Sequence, residues 1–297
     1  MNTRILAIAA ATAASTIYGI NHTLAKGLMP DIIGAYGFIL LRVVGAAILF
    51  WIASVFLPKE KIEKKDWLRI VLCALFGMVL NMNMFFKGLE LSTPINSSVV
   101  ITLSPVLLLI LSAIFLKERI SWMKGIGIAL GLAGALMLIL FGAKMQENAP
   151  NIPLGNTLFI INATSYAVYL IIVKPLVSKY SSITLMKFFF LFAVIMNLPI
   201  GWNQFSQVDW SGLQFDSIWK MGFVIIGTTF LTYLLNIYAL KQLKPSTIGV
   251  FMYLQPLIAT LVAILAGADS LTPLRVAAAG LIFLGVFLST RTFKKTT

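Results

Sequence analysis

The sequence predicts an all-α integral membrane protein with ten transmembrane helices in two inverted five-helix repeats. Composition, segment length and an internal repeat support this fold class. Of the 297 residues, 59% are hydrophobic and only 11% are charged, whereas a soluble domain has about 25% charged residues. The mean hydropathy is +0.94, and the 21 Phe residues are spread along the whole chain. So much apolar surface must face lipid, which excludes a water-soluble globular protein.

Ten segments have the length and the apolar character that a membrane span requires. A helix that crosses a hydrocarbon core of about 30 Å needs about 20 mainly apolar residues. The segments, numbered first to tenth in chain order, are expected near 5–25, 34–57, 67–87, 93–116, 121–141, 154–174, 183–203, 217–240, 245–267 and 272–291. The start of the chain also resembles a signal peptide, but its apolar run continues past Ala14 to a full span. The connections are short, so no soluble domain is expected.

The basic residues are distributed unevenly between the two ends of these segments. The chain has 23 Lys and Arg against 10 Asp and Glu, a net charge of +13, which in a soluble protein would suggest a nucleic-acid partner. If the N-terminus is cytoplasmic, sixteen of the 23 basic residues lie on the cytoplasmic side and five on the other. Cytoplasmic loops carry an excess of Lys and Arg. We therefore expect a multi-pass protein of the cytoplasmic membrane with both termini in the cytoplasm, and no nucleic-acid partner.

The two halves of the chain repeat each other. The matching pairs are Pro94 with Pro245, Pro105 with Pro256, both 151 residues apart, and Tyr18 with Tyr166, 148 residues apart. These offsets, close to half the chain length, predict one five-helix repeat over 1–148 and a second over 149–297. Because five is an odd number of crossings, the second repeat must be inverted relative to the first. Chance matches between apolar segments are the alternative explanation.

Several short motifs, in this order and spacing, resemble the drug/metabolite transporter superfamily, in particular its ten-helix EamA-type branch. They are Tyr18-Gly19, Leu40-Leu41-Arg42, Leu103-Ser104-Pro105, the ending Phe115-Leu116-Lys117-Glu118-Arg119-Ile120, and Tyr253-Leu254-Gln255-Pro256. The sequence departs from the family pattern in two places. Tyr18 stands where Trp is commoner. In the second half, Asp269-Ser270 corresponds to Glu118-Arg119, so that the acidic residue is kept and the basic one is not.

The resemblance implies a transporter, mostly an exporter or exchanger, of small metabolites such as amino acids, nucleobases or toxic compounds. It also implies a solute path between the halves, lined by the first, third, fourth, sixth, eighth and ninth helices. The fifth and tenth helices would form a peripheral or dimerising pair. The expected partners are a small-molecule solute, the lipid bilayer and a second copy of the chain in a homodimer.

Polar side chains within the predicted spans fall mainly on these path-lining helices. A polar group in lipid is costly unless it finds a partner, so such groups should face the protein interior or water. The candidates for a substrate cavity are Tyr18, Asn21, His22, Asn81, Asn83, Ser98, Thr102, Tyr166, Tyr169, Thr232, Asn236 and Gln255. Hydrogen bonding between helices, worth about 0.6 kcal/mol per contact, is the structural alternative for each of them.

One charge and two prolines within the spans require separate explanations. Arg42 lies well inside the second segment, where a cation is expensive and usually paired. Arg42 could be paired with a substrate carboxylate. It could instead be a structural anchor that binds backbone carbonyls or a polar group. We favour the anchor, because the resemblance places this helix at the periphery. Pro105 and Pro256 each remove a helical hydrogen bond, which predicts kinks for gating or for passive packing.

The sequence offers little for catalysis or for proton coupling. All ten carboxylates lie in loops or at helix ends, and the chain has one His and one Cys. We therefore expect no cofactor, no metal and no enzymatic activity, and exchange or uncoupled export instead of carboxylate-based proton coupling. His22 is the only residue that titrates readily near neutral pH. A membrane-embedded enzyme and a sensor without transport are the alternatives.

Overall fold

The computed structural model describes residues 3–26, 28–29, 31–92, 102–142, 151–265 and 273–290, and their regular structure is entirely helical. Helix occurs within each of the ten predicted segments. The helices span Thr3–Lys26, Ala35–Val55, Lys64–Asp66 (3₁₀), Trp67–Ala74, Leu75–Leu80 (π), Asn81–Leu91, Ser104–Phe115, Trp122–Gly142, Ile152–Val177, Ser182–Ser206, Phe215–Phe223, Val224–Leu231 (π), Thr232–Gln242, Pro245–Phe251, Leu254–Leu265 and Pro273–Thr290.

Six of these helical stretches are long and apolar enough to cross a membrane. They are Thr3–Asn21, Ala35–Val55, Lys64–Leu89, Ile152–Val177, Ser182–Ser206 and Phe215–Gln242, which fall on the first, second, third, sixth, seventh and eighth segments. Three more apolar helices are shorter, at Ser104–Phe115, Trp122–Met137 and Val276–Ser289. With several lipid-length helices and no strand in the described residues, the chain is a multi-pass helical membrane protein.

The second and seventh segments pack closely against each other. Their helices approach at Gly201, where an added Cβ would lie 2.5 Å from the carbonyl oxygen of Tyr36. The rings of Phe50 and Phe190 stack at 5.4 Å between centroids in the same interface. Small residues allow such close backbone approach, and aromatic rings fill the remaining space.

Two helices contain π-helical turns, at Leu75–Leu80 in the third segment and at Val224–Leu231 in the eighth. Each π turn is continuous with α-helix on both sides. Such turns shift the backbone hydrogen bonds, and they occur frequently at functional sites. Their first residues, Leu75 and Val224, are 149 positions apart, close to the repeat offsets of the sequence.

The fifth and tenth segments are in close contact within one chain. A Cβ on Gly285 would lie 2.5 Å from the carbonyl oxygen of Gly127 and 2.7 Å from the amide nitrogen of Gly131. The two backbones therefore touch, as in other glycine-mediated membrane helix pairs. Dimerisation through these segments stays a prediction.

Pro105 and Pro256 lie in the first turns of the helices Ser104–Phe115 and Leu254–Leu265. In the ninth segment, Met252 and Tyr253 form a turn that separates the helix Pro245–Phe251 from the next one. The helix is thus interrupted before Pro256, and a proline fits the first turn of the new helix because its missing N–H would have no partner there. Pro94 lies outside the described residues.

Candidate functional site

Polar residues of three helices meet in the interior and form what we call the central polar cluster. Its members are Tyr18, Asn21, Arg42, Thr228, Thr229, Thr232 and Tyr233. Thr228 Oγ1 donates to Asn21 Oδ1 at 3.0 Å, and Tyr18 interacts through its hydroxyl with the side chains of Thr232 and Tyr233. The first three members belong to 1–148 and the other four to 149–297. The cluster therefore connects the two halves of the chain.

Arg42 supplies the charge of this cluster. It is 5% exposed, and its Nε donates to Thr229 Oγ1 at 3.1 Å. The guanidinium also lies 5.8 Å from the ring centroid of Phe38 and 5.9 Å from that of Phe86, within cation–π distance. Arg42 lies about 10 Å along the helix axis from Ala35, the first residue of its helix, at a rise of about 1.5 Å per residue. Its side chain is buried in the interior, and within the described residues its hydrogen bond goes to a hydroxyl and not to a backbone carbonyl.

Two further tyrosines, Tyr166 and Tyr169, border the cluster. Their ring centroids are 5.9 Å apart, and both are close enough to Tyr18 for an electrostatic interaction. Tyr169 is buried, and its ring packs on Gly77, where an added Cβ would lie 2.6 Å from the ring. Tyr18 and Tyr166 keep partial exposure. Together the tyrosines supply aromatic faces with polar tips beside a cation, which suits a small amphipathic solute.

The π turn of the third segment provides backbone acceptors for residues of the second half. Tyr233 Oη donates to the carbonyl oxygen of Gly77 at 3.2 Å, and Ser165 Oγ donates to that of Phe76 at 2.7 Å. One turn further on, Asn81 Nδ2 donates to Asn162 O at 3.3 Å and Asn162 Nδ2 donates to Asn81 O at 2.6 Å. Asn81 thus joins the third and sixth segments directly.

The other predicted cavity residues lie in different environments. Asn83 is buried and donates to Val79 O at 2.8 Å and to Asn197 Oδ1 at 2.7 Å, which is the packing role of a hydrogen bond between helices. Thr102 is also buried, whereas Asn236 and Gln255 are half-buried. Ser98 lies outside the described residues. His22 lies in the first helix, but its side chain is outside the described part of the structure.

A second buried polar group, which we call the buried ionic cluster, consists of Glu118, Lys124 and Ser246. Lys124 Nζ donates to Glu118 Oε1 at 2.6 Å, and both side chains are less than 10% exposed. Ser246 Oγ donates to Glu118 Oε1 and accepts from Lys124 Nζ. Lys174 lies within electrostatic reach of Glu118, and its Nζ donates to the carbonyl oxygen of Leu243 at 3.0 Å. This cluster ties the fourth-to-fifth connection to the start of the ninth segment.

Sequence reasoning placed Glu118 correctly in a connection but did not reveal that it is buried. In the structure, the burial follows from the turn before Glu118. Lys117 has φ 49°, the single positive φ of a non-glycine residue in the described part of the chain, and the Glu118 amide donates to Ser112 O at 3.2 Å. A left-handed residue ends the helix and reverses the chain direction. This reversal carries the carboxylate inward.

A multi-pass helical membrane protein with a polar cluster between two halves has the general form of a transporter. The sequence of the EamA-like transporter family matches residues 5–140 and again residues 153–291. The chain therefore belongs to the EamA-like transporter family.

Individual relatives agree with this assignment. An uncharacterized transporter of Archaeoglobus fulgidus is 30% identical over 240 residues, which cover 80% of this chain and 83% of that protein. A probable terminal-alkyne amino-acid exporter of Streptantibioticus cattleyicolor is 26% identical over 151 residues, about half of each chain. One solved crystal structure has a TM-score of 0.78 at 18% identity and covers 95% of both chains, which bears on the fold alone.

Proposed function

We propose that the protein exports or exchanges small organic metabolites, amino acids among them, by alternating access between its halves. The observation that carries this proposal is the central polar cluster, in which Arg42 and Thr229 come from different halves. Polar and charged residues inside a membrane protein commonly mark the path of a solute or an ion. The relative described as a probable amino-acid exporter supports this class of solute.

The proposed architecture is ten membrane crossings in two inverted five-helix repeats, over 1–148 and 149–297. The twofold family match and the π turns that begin at Leu75 and Val224 support this division. Transporters with inverted repeats hold their substrate near the middle of the membrane, at the interface of the repeats. The central polar cluster lies between the proposed repeats.

Gating would use the helix interruptions and the buried ionic cluster. Pro105 and Pro256 lie in the first turns of their helices. Hinges usually consist of a few residues in loops or at helix ends, which absorb changes in the backbone dihedral angles. The buried ionic cluster joins Glu118 of one half to Ser246 of the other. In the proposed mechanism this contact closes one end of the path and breaks when that end opens.

A counterflow assay in proteoliposomes with a panel of amino acids and related metabolites tests the proposed function. Tyr18→Phe removes a hydroxyl that interacts with Thr232 and Tyr233. We expect its transport efficiency to fall about 2- to 10-fold, the factor for one neutral hydrogen bond. The matched control is Tyr238→Phe, an exposed tyrosine of the same eighth segment as Tyr233, which should transport as the wild type does. Exchange of no member of the panel would contradict the proposal.

The proposed orientation, with both termini cytoplasmic, has its own test. Cys73 is the single cysteine and is buried, so Cys73→Ser gives a background for cysteine labelling. Lys61→Cys and Ser211→Cys place thiols at exposed positions of two connections. In intact cells, a membrane-impermeant maleimide should label position 211 and reach position 61 only after lysis. Labelling of position 61 in intact cells would reverse the orientation.

A further inference from the structure

Arg42 is a buried cation whose hydrogen-bonding capacity is mostly unused. A guanidinium has five N–H donors, and the one hydrogen bond that Arg42 makes in the described structure uses Nε. The ion pairs among the described residues do not include it. The two terminal Nη nitrogens carry the other four N–H groups, and none of these makes a hydrogen bond within the described residues.

The surroundings of the Arg42 guanidinium favour one type of ligand. The guanidinium lies near the hydroxyls of Tyr18 and Tyr233 and near the rings of Phe38 and Phe86. A planar pair of Nη donors matches the two oxygens of a carboxylate in a bidentate hydrogen bond. The hydroxyl of Tyr18 can donate to the same oxygens, while the rings of Phe38 and Phe86 pack against an apolar remainder.

We infer that Arg42 binds the carboxylate of the transported solute, so that the substrates are carboxylate-bearing metabolites with an apolar or aromatic remainder. This inference rests on the proposed function and specifies its substrate class. It also assigns Thr229 as the positioning residue, because its hydroxyl accepts from Nε and leaves the Nη edge of the guanidinium toward the solute. A purely structural Arg42 would make no distinction between solutes with and without a carboxylate.

The test compares amino acids with their amides, which differ at the carboxylate alone. In counterflow with wild-type proteoliposomes, we expect phenylalanine or leucine to be exchanged at least about tenfold more efficiently than the corresponding amide. Arg42→Gln should raise KM for the acid roughly 10- to 100-fold, the loss expected for a charge-assisted hydrogen bond, and raise KM for the amide by a much smaller factor, so that the preference for the acid is lost. Thr229→Val should also raise KM for the acid more than KM for the amide, but by a smaller factor than Arg42→Gln does.

The outcomes separate this inference from the proposed function. Equal exchange of acid and amide by the wild type, or an equal loss of both in Arg42→Gln, would overturn the inference and leave transport intact. Exchange of neither form, nor of any other solute of the panel, would overturn both. If Arg42→Gln does not elute as a monodisperse protein, the ratio of the exchange efficiencies of acid and amide in the wild type still decides the question. Arg42→Lys is then the second variant.

Discussion

Gly285→Leu is expected to abolish the folded protein, whereas Gly280→Leu on the same helix is expected to leave it intact. A Cβ at position 285 would lie 2.5 Å from Gly127 O and 2.7 Å from Gly131 N, whereas position 280 has no atom within 4 Å of its added Cβ. Both close atoms at position 285 belong to backbone, so relief requires the fifth and tenth helices to separate. Such overpacking costs about 1–3 kcal/mol, and more where the surroundings cannot yield.

The substitutions Gly285→Ala and Gly280→Ala each add a single methyl group, and they allow the effect on stability to be measured. We expect Gly285→Ala to lower the melting temperature clearly, while Gly280→Ala should keep or raise it because Ala in a helix is favoured over Gly by about 0.5–1 kcal/mol. The measurement is the fraction of monodisperse protein that remains after heating, read by size-exclusion chromatography in detergent. Gly127→Ala and Gly125→Ala form the equivalent pair on the fifth helix, because an added Cβ at position 125 also meets no atom within 4 Å. Equal stability within both pairs would contradict the observed contact between the two helices.

Glu118→Ala is expected to destabilise the protein by about 3–5 kcal/mol, because it leaves Lys124 buried without its counter-charge. The side chains of Glu118 and Lys124 are 4% and 9% exposed, so water cannot replace the lost partner easily. The matched control is Glu63→Ala, which removes the ion pairs with Lys65 and Lys179. The side chains of Glu63, Lys65 and Lys179 are 51%, 71% and 36% exposed, and exposed pairs contribute little.

A double variant separates the charge effect from simple loss of packing. Glu118→Leu with Lys124→Met removes both charges and keeps apolar volume, so its stability should return toward that of the wild type. Because the cluster joins the two halves, Glu118→Ala should also increase the labelling of a cysteine placed at Ser246 in a Cys73→Ser background. A double variant as unstable as Glu118→Ala, or unchanged labelling, would argue against an ion pair that closes this end.

Much of the fold could be predicted from the sequence because lipid acts as a uniform apolar solvent. Helix occurs in every predicted segment, and the predicted first span near 5–25 corresponds to the observed helix Thr3–Lys26. The third and eighth spans were also placed correctly, but their π turns at Leu75–Leu80 and Val224–Leu231 have no hydropathy signal. The backbone register within a helix depends on its neighbours, which a single sequence does not specify.

The candidate site was predicted in part, for a related reason. The sequence singled out Tyr18, Arg42 and Thr232 as polar residues inside spans, and the structure brings them into one cluster. Asn83 had the same signal, yet it binds Asn197 in a packing contact between the third and seventh segments. A polar residue in a helix must face away from lipid, but the sequence does not say which other helix it faces.

By itself the sequence determined the class of protein, the approximate positions of its long apolar helices and its transporter family, because these follow from hydrophobicity along the chain and from short local motifs. Only the tertiary structure decided which helices touch. It placed Thr229 beside Arg42, buried Glu118 with Lys124, and set Gly285 against Gly127. Such contacts join residues more than a hundred positions apart, or depend on one turn such as that at Lys117. They are fixed by packing in three dimensions, which hydropathy along a single chain does not encode.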